Sequence, residues 1–113
     1  MEIPGCVQKD DGTMIIDSVM ASDVVLFSSP LYYWGFSSLM KALIDRCHCF
    51  YRGVCGSSDH TSFVEGQRQA LLVTAADQFE NNAEQILTAF QRLLVYNKAH
   101  SAGELLVCNC TTP

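Results

Sequence analysis

The sequence has few basic residues and no long apolar run. Lysine and arginine together number 7, against 12 aspartates and glutamates, and the formal net charge is −5 at pH 7. A nucleic-acid site needs a basic surface that neutralises phosphates, so this balance argues against nucleic-acid binding. No apolar stretch approaches the roughly 20 residues that span a bilayer, and no membrane span is predicted.

Glycine is not arranged in the way that binds phosphate. The 7 glycines occur singly, whereas a phosphate loop presents several backbone N–H groups together at the start of a helix. The segment from Met1 to Gly5 also lacks the basic and apolar regions of a secretory signal. We therefore expect a cytoplasmic protein.

The 6 cysteines include two Cys-x-Cys pairs, Cys47 with Cys49 and Cys108 with Cys110, while Cys55 stands nearby. This spacing differs from the Cys-x-x-Cys of structural zinc sites, and disulfides are not expected without a secretory signal. We expect reduced cysteines that pack as small hydrophobes or lie in loops, and we assign no metal. A metal or cluster site remains the alternative.

The periodicity predicts alternating helices and strands in one small domain that is 49% hydrophobic and 17% charged. The predicted elements are a helix 11–21 capped by Asp10 or Asp11, a strand 23–29, a helix 37–49, a strand 69–74, a helix 81–98 and a strand 104–109. This order is typical of a parallel α/β sheet. The stretch 51–66 is predicted to be a loop and the best candidate for a mobile lid. The side chains predicted to face inward are Ile15, Ile16, Val19 and Met20 in the first helix, Leu39, Leu43 and Ile44 in the second, and Ile86, Leu87, Phe90, Leu93 and Leu94 in the third.

The run from Asp23 to Arg46 combines a buried strand, an aromatic loop and an amphipathic helix. The strand ends at a polar pair of serines and Pro30, which cannot donate to a sheet ladder. The loop that follows holds Tyr32, Tyr33, Trp34 and Phe36, on which a planar ligand can stack. A strand, a loop and a helix in this order form the nucleotide or flavin site of open α/β sheets.

The same run resembles the flavodoxin-like NAD(P)H-dependent FMN reductases and multimeric flavoproteins, which include iron–sulfur flavoproteins. The matching residues are Pro30, Tyr32, Ser37, Lys41, Ala42, Asp45 and Arg46, preceded by Cys6, Asp10 and Asp11. The resemblance implies a flavodoxin-like fold, FMN as cofactor and NAD(P)H as reductant, with a quinone or azo compound as acceptor. An iron–sulfur cluster is not carried over, because only Cys6 of the relevant cysteine-rich segment is present.

The resemblance also implies which residues border the flavin. The implied cofactor-binding residues are Ser29, Pro30, Leu31, Tyr32, Tyr33, Trp34 and Gly35 after the first strand, and Thr74, Ala75, Ala76 and Asp77 after the second. Backbone N–H groups of the loop from Tyr32 to Gly35 are expected to hold the polar edge of the ring. The aromatic side chains can instead cover the strand end or an association surface, and Asp77 can instead cap the following helix.

No catalytic side chain is assigned. The three histidines, His48, His60 and His100, are not expected to be catalytic, because no nucleophile stands at a recognisable spacing from them. Lys41 and Asp45 are spaced for a surface pair on a helix, and with Arg46 they are expected to be structural.

Members of the family begin with a strand and a phosphate-binding loop, and nothing before Cys6 supplies these. We therefore expect residues 1–113 to form a single truncated flavodoxin-like domain, with a parallel sheet of about three strands and helices mainly on one face. The other face would be bare, which predicts a homodimer, a higher oligomer or a separate chain that completes the sheet. The expected function is an FMN-dependent NAD(P)H oxidoreductase module in an oligomer, and the alternative is a non-catalytic remnant that serves as a binding or interaction module.

Overall fold

The computed structural model describes residues 8–52, 58–59 and 61–111. The helices are α1 (Gly12–Ala21), α2 (Ser38–Arg46), which continues as a 3-10 helix (Cys47–Phe50), and α3 (Glu84–Asn97). The strands are β1 (Val24–Pro30), β2 (Tyr51–Arg52), β3 (Thr61–Ser62), β4 (Arg68–Thr74) and β5 (His100–Val107). Among the described residues, no helix is long and apolar enough to cross a membrane.

The main sheet has three parallel strands in the order β1, β4, β5. Val24 of β1 pairs with Arg68 of β4, and Pro30 at the other end pairs with Thr74. The carboxyl ends of the strands therefore meet at one edge, where open α/β sheets bind ligands. The predicted parallel α/β sheet of about three strands is confirmed.

One face of the sheet packs against α2 and α3. Phe27, Leu71 and Val73 of the sheet form a buried cluster with residues of α3. The Phe27 and Phe90 rings meet edge to face, with centroids 5.9 Å apart. All five residues predicted to point inward from α3 belong to this cluster or pack against it: Ile86, Leu87, Phe90, Leu93 and Leu94.

The prediction for α2 is wrong at one position. Leu39 is 84% exposed, and Met40 packs against the core together with Ile44. Met40 and Ile44 are four residues apart, so they lie on one side of the helix, and Leu39 is rotated about 100° away from Met40. In α1, Ile16 is buried whereas Ile15 is 42% exposed.

The stretch predicted to be a loop and lid contains a two-stranded antiparallel hairpin, in which Tyr51 pairs with Ser62 and Arg52 with Thr61. The N–H of Gly66 donates to the Lys98 carbonyl at 2.9 Å, and β4 begins two residues later. The described part of this stretch therefore lies at the amino edge of the sheet, away from the carboxyl edge. The lid prediction is wrong for these residues, and positions 53–57 and 60 lie outside the described residues.

The starts of β5 and α3 differ from the prediction by three or four residues. β5 begins at His100 and includes Gly103, whose φ is +140°, so the strand starts four residues earlier than predicted. α3 begins at Glu84 rather than near residue 81. Asn81 adopts a left-handed conformation with φ of 57°, which places it in the preceding turn.

The opposite face of the sheet carries exposed apolar side chains. Leu26 is 57% exposed and Leu105 is 59% exposed. We call this surface the bare face, and its apolar residues are Val24, Leu26, Leu72, Leu105 and Val107. The expectation of helices mainly on one face is confirmed for α2 and α3, and β1 forms an edge of the sheet.

Candidate functional site

The loop after β1 is a tight turn built from aromatic residues. The N–H of Tyr32 donates to the Gly35 carbonyl at 3.2 Å, and the N–H of Gly35 donates to the Tyr32 carbonyl at 3.1 Å. Between them, Tyr33 and Trp34 have φ of 47° and 67°. Positive φ at both central positions defines a turn that normally uses Asn or Gly. A bulky side chain in the left-handed region costs about 1–2 kcal/mol.

The hydroxyls of two serines, Ser29 and Ser37, hold the ends of this turn. Ser29 is 3% exposed, and its Oγ donates to the Pro30 carbonyl at 2.8 Å and accepts from the Ser37 N–H at 3.0 Å. The Ser37 Oγ in turn accepts from the Met40 N–H at 3.3 Å and caps α2. The hydrogen bonds of Ser29 and Ser37 therefore hold the strained turn in place between β1 and α2.

The loop after β4 forms the facing wall. The N–H of Leu31 donates to the Thr74 carbonyl at 2.8 Å, which keeps the ends of β1 and β4 together. The N–H of Ala75 donates to the Val107 carbonyl at 2.9 Å. Beyond this point, Ala76 and Asp77 turn toward the aromatic loop.

An open cleft of about 290 Å³ lies between the two loops. Six of the predicted site residues line it, and they are Leu31, Tyr32, Tyr33, Trp34, Ala76 and Asp77. Asn82 also lines it and was missed. The sequence signal for Asn82 is the pair Asn81-Asn82, which lies in a polar loop shortly after the end of a strand.

Five other predicted site residues do not line the cleft. Ser29 and Ala75 are buried, Pro30 and Thr74 pair with each other in the sheet, and Gly35 closes the aromatic turn. Their role in cofactor binding stays a prediction.

The expectation that four N–H groups of the loop hold a ligand is corrected. The N–H groups of Tyr32 and Gly35 bond across the turn, so the donors left for a ligand are those of Tyr33 and Trp34. The Tyr33 side chain is 92% exposed and that of Trp34 is 50% exposed. Their rings meet nearly edge to face, with centroids 6.0 Å apart. The turn therefore offers two donors beside an exposed indole surface.

The alternative reading of Asp77 as a helix cap is wrong. The Glu84 carboxylate accepts from the N–H of Asn81 at 2.6 Å and from that of Asn82 at 2.8 Å, so Glu84 satisfies the free donors before α3. Hydrogen bonds from its own N–H and from that of Asn81 hold the pKa of Glu84 below its usual value. The Asp77 carboxylate remains in the lining of the cleft.

The described histidines lie away from the cleft. His48 is in the 3-10 helix, with its ring 6.1 Å from that of Tyr51, and His100 begins β5. Both belong to the amino side of the sheet. His60 lies outside the described residues.

The parallel sheet and the cleft at its carboxyl edge define a flavodoxin-like α/β protein with an aromatic loop beside the cleft. The model of the NADPH-dependent FMN reductase family matches residues 2–104. The chain belongs to this family, and the resemblance seen in the sequence is confirmed. Among curated proteins, no match to this sequence is found.

Solved structures give the same fold. The Trp repressor binding protein from Bacillus subtilis has a TM-score of 0.69 at 16% identity, over 94% of this chain and 62% of that chain. An NADPH-quinone reductase from P. pentosaceus has a TM-score of 0.65 at 18% identity, over 92% and 65%. General stress protein 14 from Treponema denticola, solved in complex with FMN, has a TM-score of 0.65 at 18% identity, over 88% and 61%. The chain thus spans less than two thirds of the length of these proteins, and the likeness at these identities shows the fold.

Proposed function

We propose that this chain binds the isoalloxazine ring of FMN in the cleft and serves as the ring-binding module of an NAD(P)H-dependent FMN or quinone oxidoreductase. The observation that carries the proposal is the left-handed conformation of Tyr33 and Trp34. Strain of this kind persists where the surrounding structure imposes it, and it concentrates at ligand sites. Family membership favours this function over a non-catalytic interaction module.

The cleft suits a flat ring better than a whole dinucleotide. Its volume of about 290 Å³ is at the low end for small-molecule sites. The Trp34 indole offers a stacking surface, and the N–H groups of Tyr33 and Trp34 offer donors for the polar edge of the ring. None of the described loops at the carboxyl edge of the sheet is rich in glycine, so none of them has the form of a phosphate-binding loop.

When bound, FMN supplies the redox chemistry by accepting a hydride from NAD(P)H and passing electrons to an acceptor. The residues of this chain bind and orient the ring. The Tyr32–Gly35 turn fixes the position of Trp34, and the wall formed by Ala76 and Asp77 limits where the ring can lie. The Asp77 carboxylate places a negative charge on the wall, and Asn82 adds an amide that can donate to or accept from the ligand.

The bare face is proposed to bind a second copy of this chain. Its exposed apolar side chains include Val24 and Leu26 on one edge strand and Leu105 and Val107 on the other, and contiguous exposed apolar patches mark association sites. Two identical copies related by a two-fold axis would bury this face, and such dimers are the commonest oligomers. Arg68 stands at the amino end of this face, so an antiparallel arrangement keeps the two arginines at opposite ends. Sedimentation equilibrium should show a dimer or higher oligomer at micromolar concentration, and a monomer would overturn this part of the proposal.

Two further expectations belong to the proposal. Residues 1–113 act as one partial flavodoxin-like domain, which is completed in the assembly. A cytoplasmic location is proposed because none of the described cysteines is in a disulfide, which suits a reducing compartment.

Flavin fluorescence tests the proposed ring binding. Titration of FMN with the purified protein should quench the flavin fluorescence with micromolar affinity, because an indole within stacking distance deactivates the excited ring. Trp34→Ala should weaken binding by about tenfold, as expected for the loss of one aromatic stack. Leu39→Ala removes an apolar side chain that is 84% exposed and lies outside the cleft, and it should leave the affinity unchanged. Absence of quenching at millimolar protein would refute the function.

A further inference from the structure

The described chain contains two Cys-x-Cys segments in very different surroundings. None of the four described cysteines, Cys47, Cys49, Cys108 and Cys110, is in a disulfide. The two pairs share the same spacing but differ in burial and in position in the fold.

The first pair is packed into the protein. Cys47 is 6% exposed, and its thiol donates to the Leu43 carbonyl at 3.2 Å. Burial, together with the neighbouring Cys49, raises the pKa of Cys47 to about 12. A thiol held in its neutral form is a poor nucleophile.

The second pair lies at the carboxyl edge of the sheet, directly after β5. The thiol of Cys110 is exposed, and that of Cys108 is partly exposed. The N–H of Cys110 donates to the Ala75 carbonyl at 2.9 Å, and the N–H of Asn109 donates to the Asp77 carbonyl at 3.0 Å. The pair is therefore hydrogen-bonded to the loop that forms one wall of the cleft.

The backbone between the two cysteines is more compact than an extended strand. Asn109 has φ of 57°, and this left-handed residue shortens the chain below the roughly 7 Å that two extended residues span. A disulfide needs Cα atoms about 4.4–6.8 Å apart. The Cys110 Sγ also turns back along the chain, donating to the Val107 carbonyl at 3.2 Å and lying 4.0 Å from the Cys108 carbonyl oxygen.

We propose that Cys108 and Cys110 form a redox-active dithiol that reacts with small disulfide compounds and closes to an intrachain disulfide. The Cys110 thiolate attacks one sulfur of the compound, forming a mixed disulfide and releasing the first thiol. The Cys108 thiolate then attacks the Cys110 sulfur, which forms the protein disulfide and releases the second thiol. The compound is reduced, the protein pair is oxidised, and each cysteine loses one proton.

The reaction is reversible because exposed disulfides are readily reduced. Oxidation also affects the wall of the cleft. The disulfide would constrain the backbone of Asn109, whose N–H donates to the Asp77 carbonyl. The inference does not depend on flavin binding, because thiol–disulfide exchange needs neither FMN nor NAD(P)H.

The test uses the full chain with Cys6→Ser and Cys55→Ser, which removes the two cysteines outside the described residues. The reduced protein is incubated with oxidised glutathione and analysed by intact mass and peptide mapping. We expect a product that has lost two hydrogen atoms and retained no glutathione, with the disulfide mapped to Cys108 and Cys110. Dithiothreitol should restore the starting mass.

Two variants make the result specific. Cys108→Ser should stop the reaction at the mixed disulfide, so glutathione stays on Cys110. Cys49→Ser, in the packed pair, should react like its parent. A parent protein that retains glutathione, keeps all its thiols or forms its disulfide through Cys47 would overturn the inference.

Discussion

Arg46 at the end of α2 donates from Nη1 to both carboxylate oxygens of Asp10, at 2.7 and 2.8 Å. Asp10 also accepts from the Gly12 N–H at 3.0 Å and so caps the start of α1. The pair joins two segments of the family resemblance that are 36 residues apart in sequence. A Cβ on Gly12 would lie 2.0 Å from the Arg46 Nη1, so glycine at this position leaves room for the guanidinium.

The Asp10–Arg46 pair should contribute more stability than the surface pair Lys41–Asp45. The Arg46 side chain is 21% exposed, against 58% for Lys41, so solvent screens its interaction less. We expect the double-mutant cycle of Asp10→Asn and Arg46→Gln to give a larger coupling energy than the cycle of the surface pair. The matched cycle of Lys41→Gln and Asp45→Asn should give about 0.3–0.5 kcal/mol.

Urea unfolding at low and high salt measures both cycles. The coupling of Lys41 and Asp45 should fall at high salt, and that of Asp10 and Arg46 should largely persist. Equal couplings with equal salt dependence would show that the inter-helix pair is an ordinary surface contact.

Stability should fall in acid because the Glu84 carboxylate is hydrogen-bonded in the folded state. The pKa of Glu84 is lowered by backbone N–H groups, so near pH 4 the unfolded chain binds protons more readily than the folded chain. The ionised Glu84 carboxylate therefore adds to the free energy of unfolding at neutral pH, and this stabilisation is lost as pH falls through the pKa of Glu84 in the folded state. Glu84→Gln should flatten the pH dependence of the unfolding free energy between about pH 6 and pH 3.

The control is Glu80→Gln, which removes an exposed carboxylate from the turn before α3, and it should change the slope less than Glu84→Gln does. Asp10 behaves in the same direction, because the hydrogen bond from Arg46, followed by that from Gly12, lowers its pKa. An unchanged slope in Glu84→Gln would mean that this cap contributes nothing to acid sensitivity.

Relief of the strained turn should stabilise the protein while weakening flavin binding. Tyr33 has φ of 47° and is 92% exposed, so Tyr33→Gly removes a left-handed penalty and little packing. We expect a gain of about 0.5–1 kcal/mol in unfolding free energy, after allowance for the flexibility of glycine in the unfolded chain. Tyr32→Gly, outside the left-handed region, should be destabilising instead. A loss of stability in Tyr33→Gly would contradict the strain argument.

A charge on the bare face should disrupt association without unfolding the chain. Leu26 is 57% exposed on this face, and Leu26→Lys would place an ammonium in the proposed dimer interface, where desolvation is costly. Sedimentation should show a shift toward monomer. Val95→Lys, on an exposed position of α3, is the matched control and should keep the wild-type state. The same association state for both variants would place the interface elsewhere.

The order of strands and helices could be predicted because it depends on local periodicity. The apolar run at Phe27 and the helical spacing of Ile86, Phe90 and Leu94 give the correct element types. The same reasoning chose Leu39 over Met40 in α2, since both lie near the apolar stripe and only packing decides between them.

Other features depend on contacts between distant residues. Gln69 is fully buried and Asn97 is 1% exposed, and the Asn97 amide donates to the Gln69 Oε1 at 3.0 Å. Tyr51 donates to the other end of Asn97, which ties the hairpin to the core. No sequence pattern predicts this buried network of polar side chains, and the sequence therefore predicts a loop where the structure has a hairpin. The left-handed conformation of Trp34 could not be predicted either. It depends on the hydrogen bonds of Ser29 and Ser37 at the two ends of the turn.

The most direct test of the central claim is a comparison of FMN with lumiflavin, which has the ring but no phosphate. If the cleft beside Trp34 binds the isoalloxazine ring, lumiflavin should bind, and Trp34→Ala should weaken both ligands by the same factor of about ten. The ratio of the two affinities should stay constant, because the phosphate contacts lie outside the cleft. Binding of FMN without binding of lumiflavin would contradict the account. Unchanged affinity for both ligands after Trp34→Ala would contradict it as well.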